Sequence, residues 1–196
     1  QVYGKEIFGN IKSKKKIKIE NDYTKSHYLA EKMIEKYKKN YGLNVNIVRL
    51  AYSFSNPIDK KVYRPDLIPI NFCIDAINSN EIFLNSDGNS RRDFIPLRDV
   101  FTKISKLITK NNKKDIYYNF SSGKTFKIIE IAKIVQKEAS KILLKKIKIK
   151  LNLKNKLREN KFTIPSDIYS KRVKKIYIEK RLRYEIKKII FNYIYK

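Results

Sequence analysis

Asn21-Asp22-Tyr23-Thr24-Lys25-Ser26-His27-Tyr28-Leu29-Ala30-Glu31 opens the segment that decides the fold. Asn21-Asp22 offers an N-cap, because a short side-chain oxygen can accept from the first unpaired helix amides. From Tyr23 to Tyr41 the positions Tyr28, Ala30, Met33, Ile34 and Tyr37 recur at helical spacing, which predicts an amphipathic helix. Gly42 stops it as a C′ glycine, and the alternating, β-branched run Leu43–Leu50 predicts a buried strand. Helix, glycine turn and strand in that order form the return half of a βαβ unit.

Downstream the alternation continues. Ile68–Ile77 reads as a helix, Glu81–Leu84 as a short strand, and Ser86-Asp87-Gly88-Asn89 as a turn. Asp93–Leu97 is extended, and Asp99–Ile108 is a helix with an acidic residue in its first turn. Ile116–Phe120 is a strand, Ser121-Ser122-Gly123 a turn, Phe126–Leu143 a long helix and Ile147–Leu151 a half-exposed strand. Gln1–Glu20 reads as a Lys-rich loop, and Val173–Tyr195 as one or two short helices. The class is α/β, with too few leading strands for a complete doubly wound sheet.

The 196 residues suit one domain, or one plus a small appendage, and 42% hydrophobic content excludes a disordered chain. A single Cys excludes a disulfide framework and a cysteine zinc site, and Cys73, between Phe72 and Ile74, reads as core. His27 is the one histidine, no acidic cluster has ligand spacing, and no metal is expected. No apolar run approaches the roughly 20 residues of a membrane span. Lys, Ile, Asn and Tyr number 37, 31, 18 and 14, and all four use A- and T-rich codons. Codon bias therefore explains the net charge of +27 better than an anionic partner, although residues 101–196 alone carry +21. No zinc-finger spacing or RNA-recognition signature accompanies the charge, which disfavours nucleic acid. The chain begins with Gln1 rather than Met, so a missing N-terminal part is expected.

Tyr23, His27 and Glu31 fall at i, i+4 and i+8 and share one helix face. A phenol with a hydrogen-bonding neighbour one turn on can act as a general acid or base. The same face also reads as an aromatic-plus-histidine surface packed on the sheet.

Six pieces stand in order: Val2-Tyr3-Gly4; Tyr23 to Glu31; Gly42-Leu43; Val48-Arg49-Leu50; Arg92-Asp93-Phe94-Ile95-Pro96-Leu97-Arg98-Asp99-Val100; and Tyr118-Asn119-Phe120-Ser121-Ser122-Gly123. This series resembles the extended short-chain dehydrogenase/reductases, the NAD-dependent epimerase/dehydratase family. The resemblance covers nearly the whole chain and weakens after about Leu143. It implies a partial Rossmann-type doubly wound sheet lacking its N-terminal βαβ units, plus a small C-terminal α/β substrate-binding domain. Residues 1–56 would be the C-terminal part of the NAD(P)-binding domain. Residues 57–196 would be mainly the substrate-binding region, with some segments returning to the Rossmann sheet. The family's G-x-x-G-x-x-G turn, which holds the dinucleotide pyrophosphate at a helix N-terminus, occurs nowhere in the chain.

By position the resemblance makes Tyr23 the catalytic tyrosine, taking a proton from a sugar hydroxyl as hydride passes to the nicotinamide of NAD or NADP. The family's lysine position holds His27. Lysine bonds the ribose hydroxyls with a fixed charge; histidine can still donate to a ribose, but it is shorter. Family members resembling surface-polysaccharide enzymes do read Y-x-x-S-H. Ala51 falls on the cofactor side. Arg92 matches the arginine that pairs with a nucleotide sugar's diphosphate, a role suited to a planar guanidinium fork, with a plain surface arginine beside Arg91 as the other reading. Arg158 is a second, weaker phosphate candidate ahead of Ser170-Lys171, which resembles the family's d-x-S-K, and a solvated surface charge is the other reading. Tyr52 stands where better-matching members place a substrate-contacting asparagine. Asp93 is expected to fix its strand and Asp99 to cap a helix.

The resemblance thus implies an NAD(P)-dependent nucleotide-sugar epimerase or dehydratase, cytoplasmic, dimeric when full-length, and tied to surface polysaccharide biosynthesis. The 196-residue chain alone is expected neither to bind NAD usefully nor to turn over. The alternative is a non-catalytic relative that binds a nucleotide sugar or an anionic partner, which His27 and Tyr52 favour.

Overall fold

The computed structural model describes residue 3 and residues 7–13, 16–59, 67–109, 117–169 and 173–195. Val2, Gly4, Ile116, Ser170 and Lys171, which carry part of the sequence pattern, lie outside the described residues. In chain order the elements are β1 (Gly9–Asn10), α1 (Asp22–Tyr41), β2 (Ile47–Leu50), β3 (Tyr52–Phe54), α2 (Ile68–Ser79), β4 (Glu81–Leu84), β5 (Arg91–Pro96), α3 (Leu97–Thr109), β6 (Tyr117–Phe120), β7 (Thr125–Lys127), α4 (Ile128–Leu143), β8 (Lys148–Leu151), β9 (Phe162–Thr163) and α5 (Lys175–Tyr195).

Helix α1 starts where Asn21 predicts. The Asn21 side chain accepts from the Thr24 N–H at 2.9 Å, and Thr24 Oγ1 accepts from the Asn21 N–H at 3.2 Å. This reciprocal box satisfies two amides that would otherwise lack partners. Gly42 ends the helix at φ +64°, donating its N–H to the Lys38 carbonyl.

Among the described residues four strand pairs are parallel: β1 with β9, β2 with β6, β3 with β5, and β4 with β8. Parallel neighbours require a crossover, and the β2–β6 connection supplies one that contains α3. Strand β7 adds antiparallel to β5, Arg92 lying opposite Phe126. Strand β5 serves both sides of the molecule. Phe94 points into the larger core with Phe126, Ile131, Leu182 and Ile186, while Ile95 points into a smaller one with Val100, Tyr118 and Phe120. Adjacent residues of a strand face opposite ways, so Arg92 shares the Phe94 side and Asp93 the Ile95 side. Cys73 is fully buried in the larger core, and burial pushes its thiol well above its usual pKa.

Several expectations are corrected. Val173–Tyr195 holds one 21-residue helix, not two short ones, because Ile178, Leu182, Ile186, Ile189 and Ile190 form one continuous buried stripe. That stripe packs with α2 and α4 in the larger core. Helix α4 starts at Ile128, not Phe126, because Phe126 sits in β7 with its ring 6.2 Å from that of Phe94. The strand expected over Leu43–Leu50 occupies only Ile47–Leu50, and Leu50 is 46% exposed. Helix α1 does not bury its apolar face against any described element: only Thr24 and Glu31 are buried, while Leu29, Met33, Ile34 and Tyr37 face solvent. Among the described residues, no helix is long and apolar enough to cross a membrane.

Candidate active site

The capping box fixes the chain direction just before Tyr23, and one helical turn then sets His27 beside it. The two rings lie 4.4 Å apart, centroid to centroid, tilted by 50°. Both side chains are exposed, Tyr23 at 53%, so each can meet a ligand without rearranging the core. Ser26 Oγ donates to the Tyr23 carbonyl at 2.9 Å and ties down the same turn.

Glu31, the third residue of that face, turns inward. Arg49 donates to it through Nε at 2.9 Å and through its NH2 nitrogen at 2.7 Å. The same guanidinium donates to the Ser13 carbonyl at 2.8 Å and lies 5.1 Å from the Tyr3 ring centroid and 4.9 Å from that of Tyr117. Burial is the largest single influence and would lower the Arg49 pKa, but the bonds and charges of Glu31 and Tyr3 together outweigh it and hold the guanidinium above its usual value. Tyr117 donates to Glu35 one turn beyond Glu31, and burial together with that carboxylate pushes the Tyr117 phenol up. Glu35 is held below the usual carboxylate range by its bonds from Lys32 and Tyr117. Thus α1 is fastened to β2 and β6 by charged and hydrogen-bonded groups rather than by its apolar residues. The sequence pattern assigned no role to this network. Its signal was a charged residue inside Val48-Arg49-Leu50, since a buried charge requires a partner.

Ala51 follows β2 and donates its N–H to the Phe120 carbonyl at 2.8 Å, so its backbone is held to the sheet. Tyr52 begins β3, its ring 5.0 Å from that of Phe94. Its phenol oxygen accepts from the Ile68 N–H at 2.6 Å, at the start of α2. Tyr52 is thereby rigid, held at both ends of its side chain.

Arg91 and Arg92 divide their work. Arg91 pairs with Glu159 at 2.8 Å, and its N–H donates to Asn160 Oδ1 at 2.8 Å. Arg92 is exposed, donates to Ser90 Oγ at 2.9 Å and to the Arg91 carbonyl at 2.8 Å, and meets no carboxylate among the described residues. Partial desolvation lowers its pKa somewhat, with neighbouring Tyr52 acting the other way. Arg158 is also exposed, its guanidinium 5.3 Å from the Phe8 ring centroid. Glu159 beside it bonds Arg91, so the segments carrying Arg158 and Arg92 touch. No described contact joins Tyr23 and His27 to Tyr52 and Arg92; the structure places Tyr23 and His27 on α1, Ala51 between β2 and β3, Tyr52 and Arg92 on β3 and β5, and Arg158 on the segment between β8 and β9.

Asp93, beneath Arg92, latches the turn after β6. It accepts from the Ser122 N–H at 2.8 Å and from Ser122 Oγ at 2.9 Å. Burial pushes its carboxyl up to about 7, and the amides of Ser122, Gly123 and Lys124 offset only part of that rise. Asp99 does not act mainly as a cap. It sits in the first turn of α3, but its carboxylate accepts from Tyr169 at 2.6 Å and from Tyr177 at 3.3 Å, and meets Arg181 at 3.7 Å. Three donors on the C-terminal segment outcompete the local amides.

Among the described residues no group of three or more His, Cys, Asp or Glu side chains could hold a metal ion. For a dinucleotide the fit is one-sided. An exposed phenol and imidazole in ring contact suit the hydroxyls of a ribose, whereas the 196 residues contain no Gly-rich turn for a pyrophosphate.

The family model for the NAD dependent epimerase/dehydratase family matches residues 1–121. No match was found among curated proteins. Among solved structures, the chain is similar to the UDP-N-acetylglucosamine 4-epimerase of Methanobrevibacter ruminantium M1 in complex with UDP-N-acetylmuramic acid, with 20% identity and TM-score 0.74, covering 97% of this chain and 60% of that one. It is similar to the UDP-glucose 4-epimerase of Thermotoga maritima with UDP-glucose, with 17% identity and TM-score 0.75, covering 99% and 61%. It is also similar to the UDP-glucuronic acid 4-epimerase of Bacillus cereus in complex with NAD, with 20% identity and TM-score 0.70, covering 100% and 60%. The chain therefore spans about three fifths of the length of these relatives, and at such identities the likeness establishes a partial Rossmann-type α/β fold. Since the family model matches more than half of its residues, this chain belongs to the NAD-dependent epimerase/dehydratase family.

Proposed function

We propose that this chain carries the acid/base and diphosphate-binding parts of an NAD(P)-dependent nucleotide-sugar epimerase or dehydratase. The observation that carries the reading is the Tyr23–His27 pair, exposed on a helix that the buried Glu31–Arg49 pair holds to the parallel sheet. A nicotinamide cofactor, when bound, accepts and returns the hydride. The Tyr23 phenol takes the proton of the sugar hydroxyl being oxidised and gives it back on reduction. His27 bonds the adjoining ribose in place of the family's lysine. Arg92, lacking a carboxylate partner among the described residues, binds the diphosphate with Arg158 beside it, and Tyr52 presents a fixed ring at the sugar's edge.

Residues 1–56 form the end of the dinucleotide-binding domain, and residues 57–196 supply most of the substrate-binding region. The exposed face of α1 supports a homodimer as the working state. The Y-x-x-S-H reading of Tyr23 to His27 supports a place in surface-polysaccharide biosynthesis, in the cytoplasm.

The test joins these residues to a Gly-rich dinucleotide-binding unit. There, Tyr23→Phe is expected to lower turnover of a nucleotide sugar by about 10²-fold or more while binding persists. Unchanged turnover in that variant overturns the reading. The 196 residues alone are expected to form no reduced nicotinamide from NAD and a nucleotide sugar; its appearance contradicts this division of parts between the chain and the dinucleotide-binding unit.

A further inference from the structure

A cleft of about 430 Å³ lies between α3, the 166–169 loop and the start of α5. None of Tyr23, His27, Ala51, Tyr52, Arg92 and Arg158 lines it. One wall is a single face of α3, where Asp99, Thr102, Lys103 and Lys106 recur at i, i+3, i+4 and i+7. Tyr169 and Tyr177 line the cleft from the C-terminal side, their rings 6.3 Å apart and nearly perpendicular.

The lining carries two carboxylates and two lysines, and Arg181 beside Asp99 adds a third cation at its edge. Both acids are already engaged: Asp99 by Tyr169, Tyr177 and Arg181, and Asp167 by the Asn119 N–H at 2.6 Å. Lys103 and Lys106 meet no carboxylate among the described residues. The uncommitted groups are therefore cationic, and the ligand they favour is an anion. The two tyrosines are held by their phenol bonds to Asp99, so a planar ring can pack on them with little loss of side-chain freedom. The volume lies in the range of small-molecule sites, and far exceeds what a lone phosphate would fill.

We infer that this cleft is a second ligand site, separate from the proposed nucleotide-sugar site, for a small anion that bears a planar ring. A nucleoside monophosphate is the representative chemistry: phosphate on Lys103 and Lys106, base against Tyr169 and Tyr177. The inference stands whether or not Tyr23 is catalytic.

The test is calorimetric titration of the 196-residue chain with AMP and, separately, with inorganic phosphate. AMP is expected to bind about tenfold more tightly than phosphate, because only AMP engages the tyrosines. The double variant Lys103→Ala/Lys106→Ala is expected to weaken AMP about tenfold, and Arg92→Ala to leave it unchanged. Neither lysine is buried, and an unchanged melting temperature checks that the variant folds. Three results overturn the inference: no AMP binding at about 10 mM, equal affinity for AMP and phosphate, or AMP binding that survives in the lysine variant. Loss of AMP binding in Arg92→Ala alone would place the nucleotide at the proposed nucleotide-sugar site, overturning this inference and leaving that reading intact.

Discussion

Arg49 grips both carboxylate oxygens of Glu31, at 2.9 and 2.7 Å, across 18 residues of sequence. The pair is largely buried, with side-chain exposures of 7% and 12%. Removing one partner of such a pair strands the other charge, a loss on the order of 3 kcal/mol. Glu31→Gln is therefore expected to lower the thermal midpoint by about 10 °C in a chain of this size, read by circular dichroism. The double variant Glu31→Gln/Arg49→Met should recover part of that loss, because it leaves no unpaired charge. A single variant as stable as the parent would show that α1 is held by something else.

Asp93 predicts a pH dependence with a definite sign. Its carboxyl is raised from 3.8 to about 7 in the folded chain, so the folded state binds this proton more tightly than the unfolded state. Its contribution is complete below pH 4 and is lost as pH rises through about 7, at most on the order of 4 kcal/mol. Glu35, Glu130 and Glu159 are held low and act in the opposite sense, so the readable quantity is a difference between variants. The stability of the parent minus that of Asp93→Asn, from urea unfolding, should fall between pH 4 and 7 and then level off. A difference that is flat across that range contradicts the assignment.

Two glycines at similar φ should respond differently to alanine. Gly88, at φ +74°, has Ile129 Cβ and Leu84 Cδ2 each 2.9 Å from where a Cβ would stand. Gly42, at φ +64°, has nothing within 4 Å. Gly42→Ala should destabilise by about 1 kcal/mol, from backbone strain alone. Gly88→Ala should destabilise by about 3 kcal/mol, strain plus overpacking between β4 and α4. Equal midpoints in denaturant would contradict this difference in packing.

What was legible in the sequence was local. Asn21, Thr24 and Gly42 marked the ends of α1, because caps are read by neighbours a few residues away. The three-residue strands β3 and β7 carry too short a pattern to be read locally, because what makes them strands is pairing with β5, which lies far along the chain from β3. Periodicity marked the apolar face of α1 but carried no information about what would cover it, and that face is exposed. The carboxylate of Asp99 followed distance rather than sequence rules, turning to tyrosines 70 and 78 residues away. At the candidate site, Tyr23, His27 and Arg92 were singled out from motif positions. The Glu31–Arg49 bond that orients the helix of Tyr23 and His27 needed a strand charge to be traced to its partner.

The most direct test of the central claim is calorimetric titration of the chain with UDP-glucose, comparing the parent with Arg92→Ala and Arg91→Ala. Arg92 has no carboxylate partner among the described residues, whereas Arg91 is committed to Glu159. Arg92→Ala should weaken UDP-glucose about tenfold or more, the scale of a charge-assisted bond to phosphate, and Arg91→Ala should do so much less. Binding that is indifferent to Arg92, or absent from the parent chain, would contradict the account of this surface as the nucleotide-sugar site.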